Sequence, residues 1–145
     1  MSGVGYLLEN NCVMLPVEGL AGIGVDTVEI DRLKNAVERI GERFLNRIFT
    51  PSERCYCDKK RDRYACYAAR FAAKEAVFKA MGTGITGVRW TDVEVGKLTG
   101  GCPIVQLHNK TAILARNKGI CEIKISLSHD RARAMAFAVA IREEA

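Results

Sequence analysis

Three side chains have types and surroundings that suggest reaction chemistry. Glu75 lies in an Ala- and Phe-rich run, flanked by Phe71, Ala72, Ala76 and Phe78. A carboxylate on an apolar helix face is costly unless it has a partner. Lys79 follows one helical turn later, in the favourable Glu-before-Lys order. The pair is either a solvated helix ion pair or a metal-binding carboxylate beside a phosphate-binding amine. Asp26 interrupts a strand-like segment, where Asp is disfavoured. It either forms a local turn or cap, or supplies a second oxygen ligand. Two carboxylates from different elements, completed by waters and a substrate phosphate, suit Mg²⁺, which keeps much of its water and takes only one or two protein carboxylates.

The elements that must position these groups can be read from pattern. Leu20–Ile30 (LAGIGVDTVEI) is short and rich in Gly and β-branched residues, and predicts a first strand. Asp31 can cap the helix that follows. In that helix Leu33, Val37, Ile40 and Phe44 recur at helical spacing and predict a buried stripe. Arg32, Arg39 and Arg43 fall on one line beside the stripe at about 100° per residue, forming a basic ridge or simply a solvated face. Thr50-Pro51-Ser52-Glu53 has the capping-box arrangement of a helix start. After the polar stretch Asp58–Arg63 comes a long helix, RYACYAARFAAKEAVFKAM, with Gly82 as its stop. Trp90–Val95, Ile104–Leu107, Glu122–Leu127 and Met135–Ile141 predict strands, Thr99–Pro103 a turn, and Thr111–Asn117 a further helix. A strand, then helices, then mostly strands argues for an α+β domain with helices packed on a largely antiparallel sheet. Residues 1–19 read as an N-terminal extension and 20–145 as one domain.

Composition bounds the possibilities. The chain has 145 residues, 48% of them hydrophobic and 27% charged, which excludes a wholly disordered or collagen-like chain. No apolar run approaches the roughly 20 residues of a membrane helix. The first residues lack the basic and apolar regions of a signal peptide, so a cytoplasmic protein is expected. The net charge of +5 suits an acidic or phosphorylated partner, or merely a soluble surface. Six Cys in such a chain are expected as reduced thiols. Cys55, Cys57 and Cys66 lack zinc-ligand spacing, and neither His108 nor His129 is near them in sequence. Gly82-Thr-Gly84-Ile-Thr-Gly87 matches a dinucleotide fingerprint literally, but it follows a helix and precedes a strand, the reverse of what that motif needs. Ser128-His129-Asp130 is not a catalytic triad, because neighbours in an extended chain point to opposite faces.

Taken in order, the motifs resemble a known family. Gly24-Val25-Asp26 with Glu29 and Arg32, then Phe49-Thr50-Pro51-x-Glu53, resembles the opening of holo-acyl-carrier-protein synthases. Arg70-Phe-Ala-Ala-Lys74-Glu75-Ala-x-x-Lys79-Ala-x-Gly82-Thr-Gly84 is similar to the signature of the 4′-phosphopantetheinyl transferase superfamily. Trp90-x-Asp92-x-Glu94-Val95, Gly101-x-Pro103 and Ser126-x-Ser128-His129-Asp130 follow in the family's order, so the resemblance covers about residues 20–141. The extension before it is a departure from the usual start.

The resemblance implies a 4′-phosphopantetheinyl transferase-like fold, assembled as a homotrimer with its active site between subunits. It implies transfer of 4′-phosphopantetheine from coenzyme A to a serine of apo acyl carrier protein, with adenosine 3′,5′-bisphosphate released, in the service of fatty acid biosynthesis. Asp26 and Glu75 would ligate Mg²⁺, Lys79 would contact phosphate, and Gly82 and His129 would lie against the coenzyme. Glu75, directly or through a water, or else a metal-bound water, would be the base for the serine. Arg32 matches the carrier-docking arginine; Arg39 and Arg43 join it only by the helical-face argument. Two alternatives stand beside this reading: a transferase-like binding subunit without activity, and a nucleic-acid-binding module using Lys59-Lys60-Arg61-x-Arg63 and Arg131-x-Arg133.

Overall fold

A computed structural model describes the chain at residues 6–8, 12–14, 19–84 and 87–142. The extension contains a two-stranded antiparallel hairpin of β1 (Tyr6–Leu8) and β2 (Cys12–Met14). The remaining elements are β3 (Leu20–Glu29), α1 (Ile30–Ile40), α2 (Glu42–Ile48), α3 (Pro51–Asp58), α4 (Arg63–Met81), β4 (Val93–Lys97), β5 (Pro103–Leu107), α5 (Asn109–Asn117), β6 (Ile120–His129) and β7 (Arg133–Arg142). The expected α+β class with antiparallel pairing is present. The sheet is not continuous, however: β3-β7-β6 form one three-stranded sheet, and β4 and β5 form a separate hairpin.

The central strand explains the layering. Along β7 the alternate residues Ala134, Ala136, Ala138 and Ala140 are fully buried, while Met135 and Phe137 point to the other face and stay exposed. Period-two alternation therefore gives this strand one core face and one apolar outer face. The alanines meet α4, whose own Ala72, Ala73, Ala76 and Ala80 are buried against the sheet. On β3 the small residue is glycine. A Cβ on Gly22 would stand 2.0 Å from the Ala80 carbonyl oxygen, and one on Gly24 would stand 2.1 Å from that of Ala76 and 2.9 Å from the Lys79 Cβ. Helix α4 thus lies backbone to backbone on β3, closer than any side chain permits.

A second anchor is ionic and dry. Glu53 and Lys74 are fully buried and pair at 2.8 Å. Thr50 and Glu53 form the expected capping box at the start of α3, with the Thr50 N–H donating to Glu53 Oε1 at 2.8 Å. The other oxygen of Glu53 accepts from the Val95 N–H at 2.8 Å. Lys74 Nζ donates to the carbonyls of Trp90 and Val93. Every polar atom of the pair is used, the condition under which a buried ion pair is tolerated. Lys74, a member of the signature run, is therefore a structural residue that ties α3, α4 and β4 together.

Several expectations need correction. Glu29, not Asp31, precedes the first helix; Asp31 sits inside its first turn. The helix expected to run through Phe44 breaks at Gly41, whose φ of 78° lies in the region glycine favours. Leu33 and Val37 are buried as the stripe predicts, Phe44 is half-buried from α2, and Ile40 is exposed at the break. Trp90–Asp92 forms a single 3-10 turn rather than the start of a strand. The Asp92 N–H closes the turn on the Arg89 carbonyl at 3.0 Å, Lys74 takes the carbonyl of Trp90, and the buried Asp92 carboxylate accepts from the Arg89 N–H, Asn109 and Thr111, while the Asp92 carbonyl accepts from the His108 N–H at 2.7 Å just ahead of the β4–β5 ladder.

The glycine contact gives a direct test. Gly24→Ala is expected to cost about 1–3 kcal/mol through overpacking against Ala76. Gly96→Ala, whose Cβ would meet only the Ile104 side chain at 3.6 Å, is expected to change stability little. Urea unfolding of the two variants reads the difference.

Candidate active site

The close approach of α4 to β3 brings Glu75 and Lys79 beside Asp26. Lys79 Nζ donates to Asp26 Oδ1 at 3.2 Å and to the Val25 carbonyl at 3.0 Å. The helix pair expected between Glu75 and Lys79 is thus replaced by a tertiary one: Lys79 reaches across to the strand. Asp26 Oδ2 is buried and has no hydrogen-bond partner. Glu75 is half-buried, and its acidity reflects the arrangement. Burial first, and then the neighbouring Asp26 carboxylate, push its pKa up to about 7, with Lys79 pulling the other way. Two carboxylates held together with only one ammonium near them favour a bound cation or a retained proton.

Asp26 and Glu75 line a cavity of about 500 Å³ between β3, α1, α2 and α4, whose walls include Arg32, Leu33, Phe44, Phe71 and Arg133. Arg32, expected only as a carrier-docking residue, lines the same cavity as the two carboxylates. Arg39 and Arg43 do not line it. They are exposed on α1 and α2 respectively, and the break at Gly41 means that the three arginines do not form one straight helical ridge. Arg133, which pairs with Glu29 at 3.4 Å at the cavity wall, enters the sequence analysis only as a nucleic-acid contact. Nothing in its local pattern signals this place, because it arrives on the last strand.

Gly82 ends α4 in the left-handed conformation, with φ 70°. It lies with Lys79, Lys118 and Arg142 around a smaller cleft of about 360 Å³ beside Gly22 and Ile23. Lys118 Nζ donates to the Met81 carbonyl at 2.8 Å, so the C-terminal end of α4 carries two ammonium groups close to its negative dipole end.

His129 lies elsewhere. It closes β6 and lines a groove of about 720 Å³ with Tyr56, Lys60, Arg61, Arg70 and Lys97. The groove runs along the flank of α4 formed by Ala65, Cys66, Ala69 and Arg70, whereas the carboxylate cavity meets α4 through Phe71 and Glu75. Within one chain, then, Asp26, Glu75 and Arg32 converge, Lys79 and Gly82 continue from them along α4, and His129 does not join them. Arg70 is the residue that pattern reading passed over. Its guanidinium is buried, packs over the Tyr56 ring at 4.3 Å, and leaves Nε without a partner. An arginine inside an alanine run was the available signal. Three of the six cations of the nucleic-acid alternative are engaged within the chain: Lys60 over Tyr56, Arg63 against Tyr64 and Asp58, and Arg133 against Glu29.

The carboxylate pair predicts a measurable coupling. In the protein without added divalent cation, Asp26→Asn should return the Glu75 pKa from about 7 toward the ordinary carboxylate range, as read by carboxyl-carbon NMR titration. The raised folded value means that this group's stabilising proton is present at acid pH and is lost as pH rises through about 7. Wild-type stability should therefore fall over that window, and the Asp26→Asn variant should lose less, keeping the part of the shift that burial sets.

Comparison with known proteins agrees with this arrangement. The model of the 4′-phosphopantetheinyl transferase superfamily matches residues 22–138. A holo-acyl-carrier-protein synthase of Desulforudis audaxviator is 52% identical over 122 residues, covering 84% of this chain and 93% of that protein. The crystal structure of the Neisseria meningitidis holo-acyl-carrier-protein synthase superposes with a TM-score of 0.79 at 32% identity, over 86% of this chain and 99% of that one. The Helicobacter pylori holo-acyl-carrier-protein synthase, solved in complex with coenzyme A, superposes with a TM-score of 0.73 at 32% identity, over 81% and 98% of the two chains. With its motifs in order, its carboxylates paired on α4 and β3, and its fold shared along nearly the whole length of these relatives, the chain belongs to the 4′-phosphopantetheinyl transferase superfamily.

Proposed function

We propose that the protein transfers the 4′-phosphopantetheine arm of coenzyme A to a serine hydroxyl of an apo acyl carrier protein and releases adenosine 3′,5′-bisphosphate. The observation that carries this reading is the Asp26–Glu75 pair with its orphaned carboxylate oxygen, set beside Lys79 and Arg32 in a chain of this family. The donor set fits Mg²⁺: it is all oxygen, it offers two carboxylates, and one of them is unsatisfied. When bound there, the ion would neutralise pyrophosphate charge and polarise the phosphorus under attack.

The chain's own groups do the rest. Asp26 and Glu75 would hold the cation. Lys79, flexible and more than half exposed, reaches a phosphate oxygen as a point charge. Gly82, without a side chain at the end of α4, lets a phosphorylated ligand approach its backbone. Glu75 takes the serine proton, directly or through a water, as the serine oxygen bonds to phosphorus and the bond to the departing bisphosphate breaks. Positioning and charge neutralisation supply most of the rate, as in other phosphoryl-group transfers. Arg32 at the cavity wall offers a cation to an acidic carrier, with Arg39 and Arg43 extending the charge over two helices. His129, with Lys60, Arg61 and Lys97, forms a cationic groove suited to the nucleotide end of coenzyme A.

That groove and the carboxylate cavity lie on separate flanks of α4, which is the physical case for a homotrimer whose neighbouring subunits bring them together. The outer face of the three-stranded sheet supports assembly. Ile23, Val25, Met135 and Phe137 remain 59%, 50%, 48% and 43% exposed on it. Contiguous apolar surface of this kind marks a protein interface. Among the described residues no helix is long and apolar enough to cross a membrane. On the same reading the protein acts in the cytoplasm and serves fatty acid biosynthesis.

Intact-protein mass spectrometry tests the reaction. Apo acyl carrier protein incubated with coenzyme A, Mg²⁺ and the enzyme should gain one phosphopantetheine, about 340 Da. Glu75→Gln and Asp26→Asn should each abolish the gain while remaining folded. No gain across a panel of carriers would overturn the reading in favour of an inactive binding subunit. Arg32→Glu should raise KM for the carrier by tenfold or more at low salt and leave coenzyme A affinity within about twofold, since the changed charge faces the carrier. For assembly, Phe137→Asp should convert the wild-type oligomer to monomer in sedimentation analysis and remove turnover with it. A wild-type monomer with full activity would refute the shared site.

A further inference from the structure

Cys57 and Cys66 are two of the six cysteines expected as reduced thiols, and the fold pairs them. Cys57 ends α3 and Cys66 opens α4, and their sulfurs stand 2.7 Å apart with the Cys57 thiol donating toward Cys66. The corner that holds them is stiff. Tyr67 packs on Phe49 at 4.7 Å between ring centroids and donates to Asp58 at 2.6 Å. The two cysteines differ sharply in access: Cys57 is fully buried, whereas Cys66 is half-buried and lines the groove that contains His129. They also differ in charge environment. Arg70 Nη1 donates to Cys66 Sγ at 3.2 Å, and this buried guanidinium makes no ion pair with a carboxylate among the described residues. The anion that best answers Arg70 is a Cys66 thiolate.

We propose that Cys66 and Cys57 form an oxidation site for hydrogen peroxide, in which Cys66 is the attacking thiolate and Cys57 the resolving thiol. The Cys66 thiolate attacks one peroxide oxygen, the O–O bond breaks, and the departing hydroxide is protonated to water. Cys66 becomes a sulfenic acid. The Cys57 thiol then attacks that sulfur, the S–O bond breaks, and a second water leaves with the Cys57 proton. Two thiols are oxidised by two electrons in all, and one peroxide is reduced to two waters. The order is set by access, because a peroxide in the groove can reach Cys66 but not Cys57. The two side chains already face one another within contact, so closing the bond requires only side-chain rotation. Electrostatics point the same way. The donated Cys57 hydrogen bond, then the nearby Arg70, Lys60 and Lys97, lower the Cys66 pKa to about 7, while the same hydrogen bond and burial hold the Cys57 thiol up. Cys55, Cys102 and Cys121 are exposed free thiols; Cys102 lines the same groove, but among the described residues none of the three accepts a hydrogen bond from a cation as Cys66 does from Arg70. The site goes beyond the transferase reading and its chemistry does not depend on it.

The full-length reduced protein, treated with one equivalent of hydrogen peroxide and then alkylated, provides the test. Wild type should lose about 2 Da before alkylation, carry two alkyl groups fewer than the untreated protein after it, give a cross-linked 57–66 peptide, and regain both thiols with dithiothreitol. Cys57→Ser should stop at the sulfenic acid, trapped as a dimedone adduct on Cys66. Arg70→Gln, checked for native circular dichroism, should slow dimedone-trapped or disulfide-forming oxidation of Cys66 by tenfold or more without changing that of Cys55. Labelling of Cys55, Cys102 or Cys121 as fast as Cys66 in the wild type would overturn the proposal, as would a wild-type chain that retains all six thiols. The wild-type arms require no variant to fold.

Discussion

The contact on which everything else rests is between two backbones. Gly22 and Gly24 of β3 lie against the carbonyls of Ala80 and Ala76, where a single methyl group would stand about 2 Å from oxygen. Only residues without a side chain on the strand, and with the smallest one on the helix, allow this approach. Its consequence is positional. Glu75 and Lys79 are neighbours of Ala76 and Ala80, and Asp26 is two residues beyond Gly24, so the glycine contact carries all three side chains to one place. The alanine face of β7 continues the same thin layer, which leaves α4 close to the sheet along its length.

Held there, the three groups are electrostatically incomplete. One ammonium answers two carboxylates, one carboxylate oxygen is buried without a partner, and Glu75 holds its proton to about pH 7. A folded protein seldom keeps such an arrangement for stability, since unpaired buried charge is destabilising. The buried Glu53–Lys74 pair shows the contrast inside the same helix. Both of its members are dry and every polar atom is satisfied, and it serves to lock α3, α4 and β4 in place. Adjacent residues of one signature run, Lys74 and Glu75, therefore do opposite work: the first completes the scaffold and the second leaves the site open to a cation and a ligand.

Much of this was legible in order along the chain. The α4 boundaries, the capping box at Thr50, the first strand, and the pairing of Asp26 with Glu75 as candidate ligands all follow from local pattern or motif order, because caps, periods and glycines act over a few residues. Other readings failed for the opposite reason. The helix through Phe44 broke because Gly41 could adopt a positive φ while a continuous stripe of apolar residues concealed the break. Trp90–Asp92 alternates like a strand but turns: the Asp92 N–H bonds back to the Arg89 carbonyl, while Lys74 takes the Trp90 carbonyl and α5 side chains hold the Asp92 carboxylate from far away in sequence. The helical pairing of Lys79 with Glu75 gave way to Asp26, more than fifty residues distant, since a strand carboxylate came closer than the one on its own helix.

The sequence by itself determined the chemistry present and the class of fold: two carboxylates and an amine in family order, helices on an antiparallel framework, and arginines near the first helix. Spacing along a chain encodes such things because hydrogen-bond periods and caps are local. Only the tertiary structure decided which partners these groups keep. It placed Arg32 and Arg133 in the carboxylate cavity, put His129 on the other flank of α4, and brought Cys66 against Cys57 and Arg70. Those outcomes depend on how closely elements distant in sequence can pack, and that distance is set by the side-chain volumes at the crossing, here glycine on alanine.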